Sequence, residues 1–131
     1  MTIALWCLFP AWLSIYLPRI IALREQATRP EGLDNNDPRD QQAKLDVRGR
    51  RANAAHANGF EAFPPFAAAV VLSHVVGGPQ DAANIFAVTF VVARLVYPFL
   101  YVAGLGTGRT LVWSVGFLST FALFLVPTVV G

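Results

Sequence analysis

"RANAAHANGFEAFPPF", residues 51–66, places the polar side chains of Asn58 and Glu61 at the edge of an apolar stretch. That stretch continues through "AAAVVLSHVV" to Val76. A carboxylate beside such a run is unfavourable unless a partner or a ligand satisfies it. The segment therefore indicates a polar site on a helix that enters an apolar environment.

The composition indicates that lipid solvates most of the surface. Of 131 residues, 55 % are hydrophobic and 14 % are charged, whereas a soluble domain carries about 25 % charged residues. The mean hydropathy is +0.50. The single cysteine, Cys7, excludes an intrachain disulfide, and the histidines at 56 and 74 offer no metal-ligand spacing. A net charge of +2 is too small to suggest a nucleic-acid partner, so we expect neither metal nor nucleic acid.

Four apolar runs are long enough to cross a bilayer, which requires roughly 20 residues and at least about 17. They cover residues 3–23, 60–76, 82–102 and 110–130. No basic segment precedes the first run, so we expect a retained span and not a cleaved signal peptide. The sequence predicts a single domain over residues 1–131, an all-α integral membrane bundle of four transmembrane helices.

The distribution of positive charge predicts the orientation of these spans. Residues 24–59 carry seven Lys and Arg, residues 77–81 carry none, and the last turn ends in Arg109. Because basic residues accumulate on the cytoplasmic side, the long loop and the last turn are expected in the cytoplasm, with both termini outside. Helix-favouring residues from Asp40 onward predict that the second helix begins there and continues into the bilayer, with a kink at Pro64–Pro65.

Two charged residues are expected at the same depth in the membrane. Glu61 lies 16 residues before Gly77, or roughly 24 Å along a helix. Arg94 lies 13 residues after Asp81, or roughly 20 Å. Because the turn between them is short, the two helices should be antiparallel neighbours. A structural ion pair and a functional site explain this placement about equally well.

Further polar residues share the same helix faces. Arg51, Asn58 and Glu61 are separated by seven and three positions, and a second face carries an arginine and two tyrosines at i, i+3 and i+7. His56 points away from the first face, and we do not assign it a catalytic role. An ion pair needs only two of these groups, and the surplus positive charge suits a small ligand with carboxylates. The candidate binding residues are Arg51, Asn58, Glu61, Arg94, Tyr97 and Tyr101.

Three motifs resemble those of the MAPEG family, the membrane-associated proteins in eicosanoid and glutathione metabolism. "AHANGFEAFPPF", residues 55–66, is similar to its helix-2 signature, with His56, Asn58, Glu61 and a following Pro-Phe. "ARLVYPFLYVAG", residues 93–104, resembles its helix-3 pattern of an Arg followed by a Tyr seven positions later, and "GRTLVW" resembles the basic start of helix 4. The resemblance covers nearly the whole chain and is of the bacterial type.

This resemblance implies a homotrimer in a bacterial inner membrane, with glutathione as co-substrate between subunits and open to the cytoplasm. It implies that Arg109 activates the glutathione thiol as the catalytic residue. The lipophilic substrate would approach from membrane lipid, between helices 1 and 4 of adjacent subunits. One departure is Ala54, where several eukaryotic members carry an arginine, so a ligand contact is missing. The residues implied to hold glutathione are Arg51, Asn58, Glu61, Arg94 and Tyr101.

Three functions are compatible with the sequence. The first is a glutathione-dependent transferase or peroxidase acting on a lipophilic electrophile, with the thiolate formed between subunits. The second is a non-catalytic lipid-binding or scaffold protein of the same fold. The third is a small four-span exporter with a membrane carboxylate, although an arginine at the depth of Glu61 argues against free proton exchange there.

Overall fold

The computed structural model describes residues 1–129, and all regular structure in this part of the chain is helical. Four stretches are long and apolar enough to cross a membrane: Ile3–Ala27, Val47–Val76, Gln80–Val102 and Gly106–Val129. They confirm the all-α architecture with four membrane-spanning stretches. The end of the fourth predicted run, at residue 130, lies outside the described residues.

The first span consists of three helical pieces where the sequence predicted one helix. These pieces are α1 (Ile3–Trp6), α2 (Leu8–Ser14) and α3 (Leu17–Ala27). A proline has no N–H to bond the carbonyl four residues earlier. Pro10 cannot bond the carbonyl of Trp6, where α1 ends, and Pro18 cannot bond the carbonyl of Ser14, where α2 ends. The positions of the two breaks therefore follow from the sequence. The span also ends at Ala27 and not at residue 23.

The prediction that the second helix begins near Asp40 is wrong. Residues Pro38–Ala43 form a separate helix, α4, and the chain turns before α5 begins at Val47 and runs to Val76. The side chain of Asp46 accepts a hydrogen bond from the Gly49 N–H at 3.3 Å, and this cap sets the start of α5. Asp40 instead pairs with the Lys44 Nζ at 2.6 Å. Helix α5 continues without interruption through Pro64 and Pro65.

The loop between the first two spans is attached to α3 by two glutamines. Gln26 is 0 % exposed; its Oε1 accepts from Arg19 Nη1 at 3.1 Å and its Nε2 donates to Gln41 Oε1 at 3.0 Å. Gln41 also donates to the Gly32 carbonyl at 2.7 Å and accepts from the Asp34 N–H at 3.0 Å. These bonds fold the irregular segment back against the first span.

The remaining helices, α6 (Gln80–Val102) and α7 (Gly106–Leu125), complete the bundle and a 3₁₀ turn covers Val126–Val129. The chain reverses between α5 and α6 at Gly77, whose φ of +88° favours glycine. Phe66 of α5 stacks on Phe90 of α6 with ring centroids 3.8 Å apart. On another part of α5, a Cβ added to Gly59 would lie 3.1 Å from Ile15 Cγ2. Helix α5 therefore packs closely against both the first span and α6.

We expect Asp46→Ala to lower the melting temperature in detergent by about 3 °C, because it removes the acceptor for the Gly49 N–H. That hydrogen bond holds the pKa of Asp46 below its ordinary value of 3.8. The contribution is therefore complete above pH 3.8 and is lost as the pH falls through the lowered pKa. Thermal unfolding measured against pH tests both points.

The matched control for this variant is Asp37→Ala, because Asp37 precedes α4 without making a side-chain cap bond. It should leave the melting temperature unchanged. Equal shifts for the two variants would contradict the role assigned to Asp46.

Candidate functional site

An asparagine joins the two charged residues that were expected at the same depth in the membrane. Arg94 of α6 is 7 % exposed, and its Nη1 donates to Asn58 Oδ1 at 3.0 Å. The Asn58 Nδ2 donates to Glu61 Oε2 at 3.2 Å. Glu61 and Arg94 therefore form no direct salt bridge, which contradicts the structural ion pair, one of the two explanations that the sequence left open. An amide offers an acceptor to the guanidinium and a donor to the carboxylate, so Asn58 satisfies both groups at once.

These three side chains line one cavity of about 350 Å³ between α5, α6 and α7. The structure thus brings together Asn58, Glu61 and Arg94, as their similar depth indicated. Glu61 is also exposed on the surface of the chain, so the polar end of the cavity lies at an open face. The rest of the cavity wall is mainly apolar and includes Phe90, Phe117, Phe121 and Phe124.

A second cavity of about 270 Å³ adjoins the first and holds three more of the candidate residues. Tyr97, Tyr101 and Arg109 line it together with Thr110, and Trp113 lines both cavities. The Arg109 guanidinium lies over the Tyr101 ring at 4.5 Å from its centroid. The Arg94 guanidinium lies over the Tyr97 ring, at 4.4 Å from its centroid. Cation–π attraction to the two tyrosines therefore helps hold both guanidinium groups near the cavities.

Arg51 is the candidate that lines neither of these cavities. Its guanidinium lies against the turn between α6 and α7, where a Cβ added to Gly104 would be 2.9 Å from Arg51 Cζ. Gly104 has a φ of +76°, which few other residues adopt. Arg51 supports the turn that precedes α7, and its expected contact with a ligand stays a prediction.

His56 faces away from the polar cluster, as its position on α5 indicated. Its Nδ1 lies 2.7 Å from the carbonyl of Ile15, at the break between α2 and α3. Because a carbonyl only accepts, Nδ1 carries the proton in this contact. The ring also packs on Tyr16 and Phe60, with centroids 5.7 and 5.1 Å away. His56 thus joins α5 to the first span.

Apart from Arg109, sequence reasoning missed the part of the site that α7 provides. Trp113, Gly116 and Thr120 line the larger cavity, although the fourth run has no charge after Arg109 to draw attention to it. Their spacing of i, i+3 and i+7 places them on one helix face. That spacing was the available signal, but the apolar residues around them show the same periodicity.

The arrangement suits a small molecule with charges of both signs. Arg94 and Arg109 offer guanidinium groups that bind carboxylates through several N–H donors. Glu61 offers an acceptor for an ammonium group. The adjoining aromatic wall suits an apolar group. A polar and an apolar reactant can therefore lie side by side in the two cavities.

Four membrane-spanning stretches around an internal polar cluster define a polytopic membrane protein with a site inside the bundle. The sequence pattern of the MAPEG family matches residues 3–129. The chain therefore belongs to the MAPEG family, as the motifs in the second, third and fourth spans indicated. Comparison with curated proteins and comparison with solved structures each found no match.

We expect Asn58→Ala to reduce the free energy of unfolding by about 1–3 kcal/mol, because it leaves the buried Arg94 guanidinium without this partner. Thermal unfolding in detergent, followed by circular dichroism, measures the effect. Asn53→Ala is the matched control, since Asn53 lies on the same helix outside the cluster. A loss of the same size in both variants would argue against a special role for Asn58.

Proposed function

We propose that this MAPEG protein is a glutathione-dependent transferase or peroxidase that acts on a lipophilic electrophile. The observation that carries the proposal is the pair of guanidiniums, Arg94 and Arg109, in adjoining cavities with Glu61 nearby. Glutathione has two carboxylates and one ammonium group, so its charges match these three side chains. Asn58 and the tyrosines at 97 and 101 orient the charged groups that would contact it.

Arg109 is the residue we assign to activating the glutathione thiol. An unperturbed thiol has a pKa of about 8.5, so only a few per cent is thiolate near neutral pH. Arg109 lies in the first turn of α7, and both a guanidinium and a helix N-terminus favour an anion. Lowering the thiol pKa by about two units takes roughly 2.7 kcal/mol and raises the thiolate fraction at most about thirtyfold.

In the transferase reaction the thiolate sulfur forms a bond to an electrophilic carbon. At a halogenated carbon the leaving group departs with its electron pair, whereas at an enone the alkene electrons move to the carbonyl oxygen and a proton from solvent completes the addition. The thiol proton goes to solvent beforehand. Holding the two reactants side by side in the adjoining cavities supplies the larger part of the acceleration. The reaction belongs in a membrane because an apolar electrophile concentrates in lipid, which is the source of the second reactant.

We propose that the working form is a homotrimer, with glutathione between subunits. Glu61 is exposed on the single subunit, and Ala57 and Ala68 are exposed on the same helix. A carboxylate facing acyl chains is unfavourable, whereas small residues allow another helix to approach closely. A second copy over this face would cover Glu61 and close the polar end of the cavity. We place the protein in a bacterial inner membrane, with both termini outside the cytoplasm.

A non-catalytic lipid-binding or scaffold protein is the second candidate. Two observations favour it: the larger cavity has a mainly aromatic wall, and Ala54 stands where several family members carry an arginine. The exporter hypothesis is less favoured because Asn58 donates a hydrogen bond to the membrane carboxylate and links it to the Arg94 guanidinium.

We expect purified protein in detergent to conjugate glutathione with 1-chloro-2,4-dinitrobenzene, measured by the absorbance of the thioether. Arg109→Ala should lower kcat about tenfold to thirtyfold near neutral pH. Its rate should rise with pH up to the ordinary thiol pKa of about 8.5, because the thiolate is no longer favoured. Arg39→Ala, on the exposed face of α4, is the control and should keep the wild-type profile. Glutathione binding without turnover would support the scaffold.

Binding of glutathione itself tests the ligand face. Arg94→Ala should weaken the affinity at least tenfold, because a hydrogen-bonded charge pair contributes roughly 1.5–3 kcal/mol. His56→Ala should have a smaller effect, since His56 contacts the first span and not the cavities. Calorimetric titration of folded variants, checked by size-exclusion chromatography, measures both. Equal losses would contradict the assignment of this face, and absence of binding to the wild type would overturn the proposed function.

A further inference from the structure

We propose that the cavity between α5, α6 and α7 binds an uncharged, mainly apolar molecule that carries one hydrogen-bond-accepting oxygen. Thr120 is the residue that selects for this oxygen. The inference builds on the proposed function, because it names the chemical class of the second reactant. It also places that reactant within one subunit, whereas the family resemblance implied a position between helices 1 and 4 of adjacent subunits.

The wall of the cavity determines the apolar character of the ligand. Away from Asn58, Glu61 and Arg94, the lining consists largely of aromatic rings from α6 and α7. Trp113 and Phe117 stack on each other with centroids 5.3 Å apart. Such surfaces favour flat or extended apolar groups, and transferring a charged group into this part of the cavity would be costly.

Thr120 is the polar exception in this wall. It is 7 % exposed, it lines the cavity, and its hydroxyl has no hydrogen-bond partner among residues 1–129. Three other hydroxyls on α7 bond the carbonyl four residues earlier: that of Thr110, that of Ser114 with Thr110 at 2.8 Å, and that of Ser119 with Val115 at 2.8 Å. A hydroxyl at an apolar cavity wall is unfavourable when it has no hydrogen-bond partner. An acceptor oxygen on a bound molecule would satisfy it.

The position of Thr120 along α7 restricts how such a molecule lies. Gly116 marks the level of Arg94, since a Cβ added there would be 4.0 Å from Arg94 Cδ. Thr120 is one turn further into the bundle, or about 6 Å along the helix. A molecule with its oxygen on Thr120 and its carbon chain extending along the cavity toward Gly116 brings carbons several bonds from the oxygen to the polar end. An aromatic enone has this form, because its carbonyl oxygen activates a distant alkene carbon.

The test compares two probes of the same shape in the absence of glutathione. One is trans-4-phenyl-3-buten-2-one, and the other is trans-1-phenyl-1-butene, which lacks the oxygen. The chain has three tryptophans, and Trp6→Phe with Trp12→Phe leaves Trp113 as the only one. Quenching of Trp113 fluorescence, corrected for probe absorbance, reports occupation of the cavity that it lines.

The ketone should bind about fivefold to tenfold more tightly than the hydrocarbon, as one hydrogen bond implies. Thr120→Val, which keeps the side-chain shape, should abolish this difference, whereas Thr120→Ser should retain it. Ser119→Ala is the control: the Ser119 hydroxyl is already bonded to Val115 and lies outside the cavity lining. It should leave both affinities unchanged.

Equal binding of the two probes by the wild type would overturn the inference, and this comparison needs no Thr120 variant to fold. A ketone preference that survives Thr120→Val in folded protein would overturn it as well. Because these measurements omit glutathione, they separate the two proposals. The expected ketone preference without any glutathione turnover would defeat only the proposed function. Turnover of the chloronitroaromatic without a ketone preference would defeat only the assignment of Thr120.

Discussion

The amide of Asn58 holds a guanidinium and a carboxylate between two antiparallel helices inside an apolar bundle. Each charged group alone would be expensive to remove from water, and the amide supplies one with an acceptor and the other with a donor. This link joins α5 to α6 at one level, and the stacked rings of Phe66 and Phe90 join the same helices elsewhere. The cavity exists because α7 lies beside this fixed pair without filling the space at its polar end.

Helix α5 is also attached to the first span. The break between α2 and α3 presents the Ile15 carbonyl to His56, and the absence of a side chain on Gly59 lets the backbone of Ile15 come close. Helix α5 is therefore held by the first span through His56 and by α6 through Asn58. The sequence motif of α5 therefore combines polar residues with a glycine. His56 and Asn58 form hydrogen bonds with different neighbours, and Gly59 leaves room for Ile15.

The spans and the depth of the charged residues could be predicted from the sequence, because length, apolar content and helix rise determine them. The start of α5 could not, since Asp40 and Asp46 are both suitable caps. The turn between α4 and α5 accompanies a contact that the local sequence does not show, the hydrogen bond from Gln26 to Gln41, which are 15 positions apart. For the site, a charge in an apolar run is conspicuous, so Glu61 and Arg94 were found. Thr120 was missed because only the packing around it distinguishes it from the other hydroxyls of α7.

The hydrogen bonds of the glutamine side chains that attach the loop to α3 also determine how this part of the surface responds to ionic strength. Gln26 and Gln41 are uncharged, and the contact between them is buried. Dissolved ions screen attraction between exposed charges, but they have little effect on hydrogen bonds between buried neutral groups. Ion pairs at the edge of the loop, such as that of Lys44 with Asp40, would weaken in concentrated electrolyte. The shape of the loop beside the first span would then persist across large changes in ionic strength.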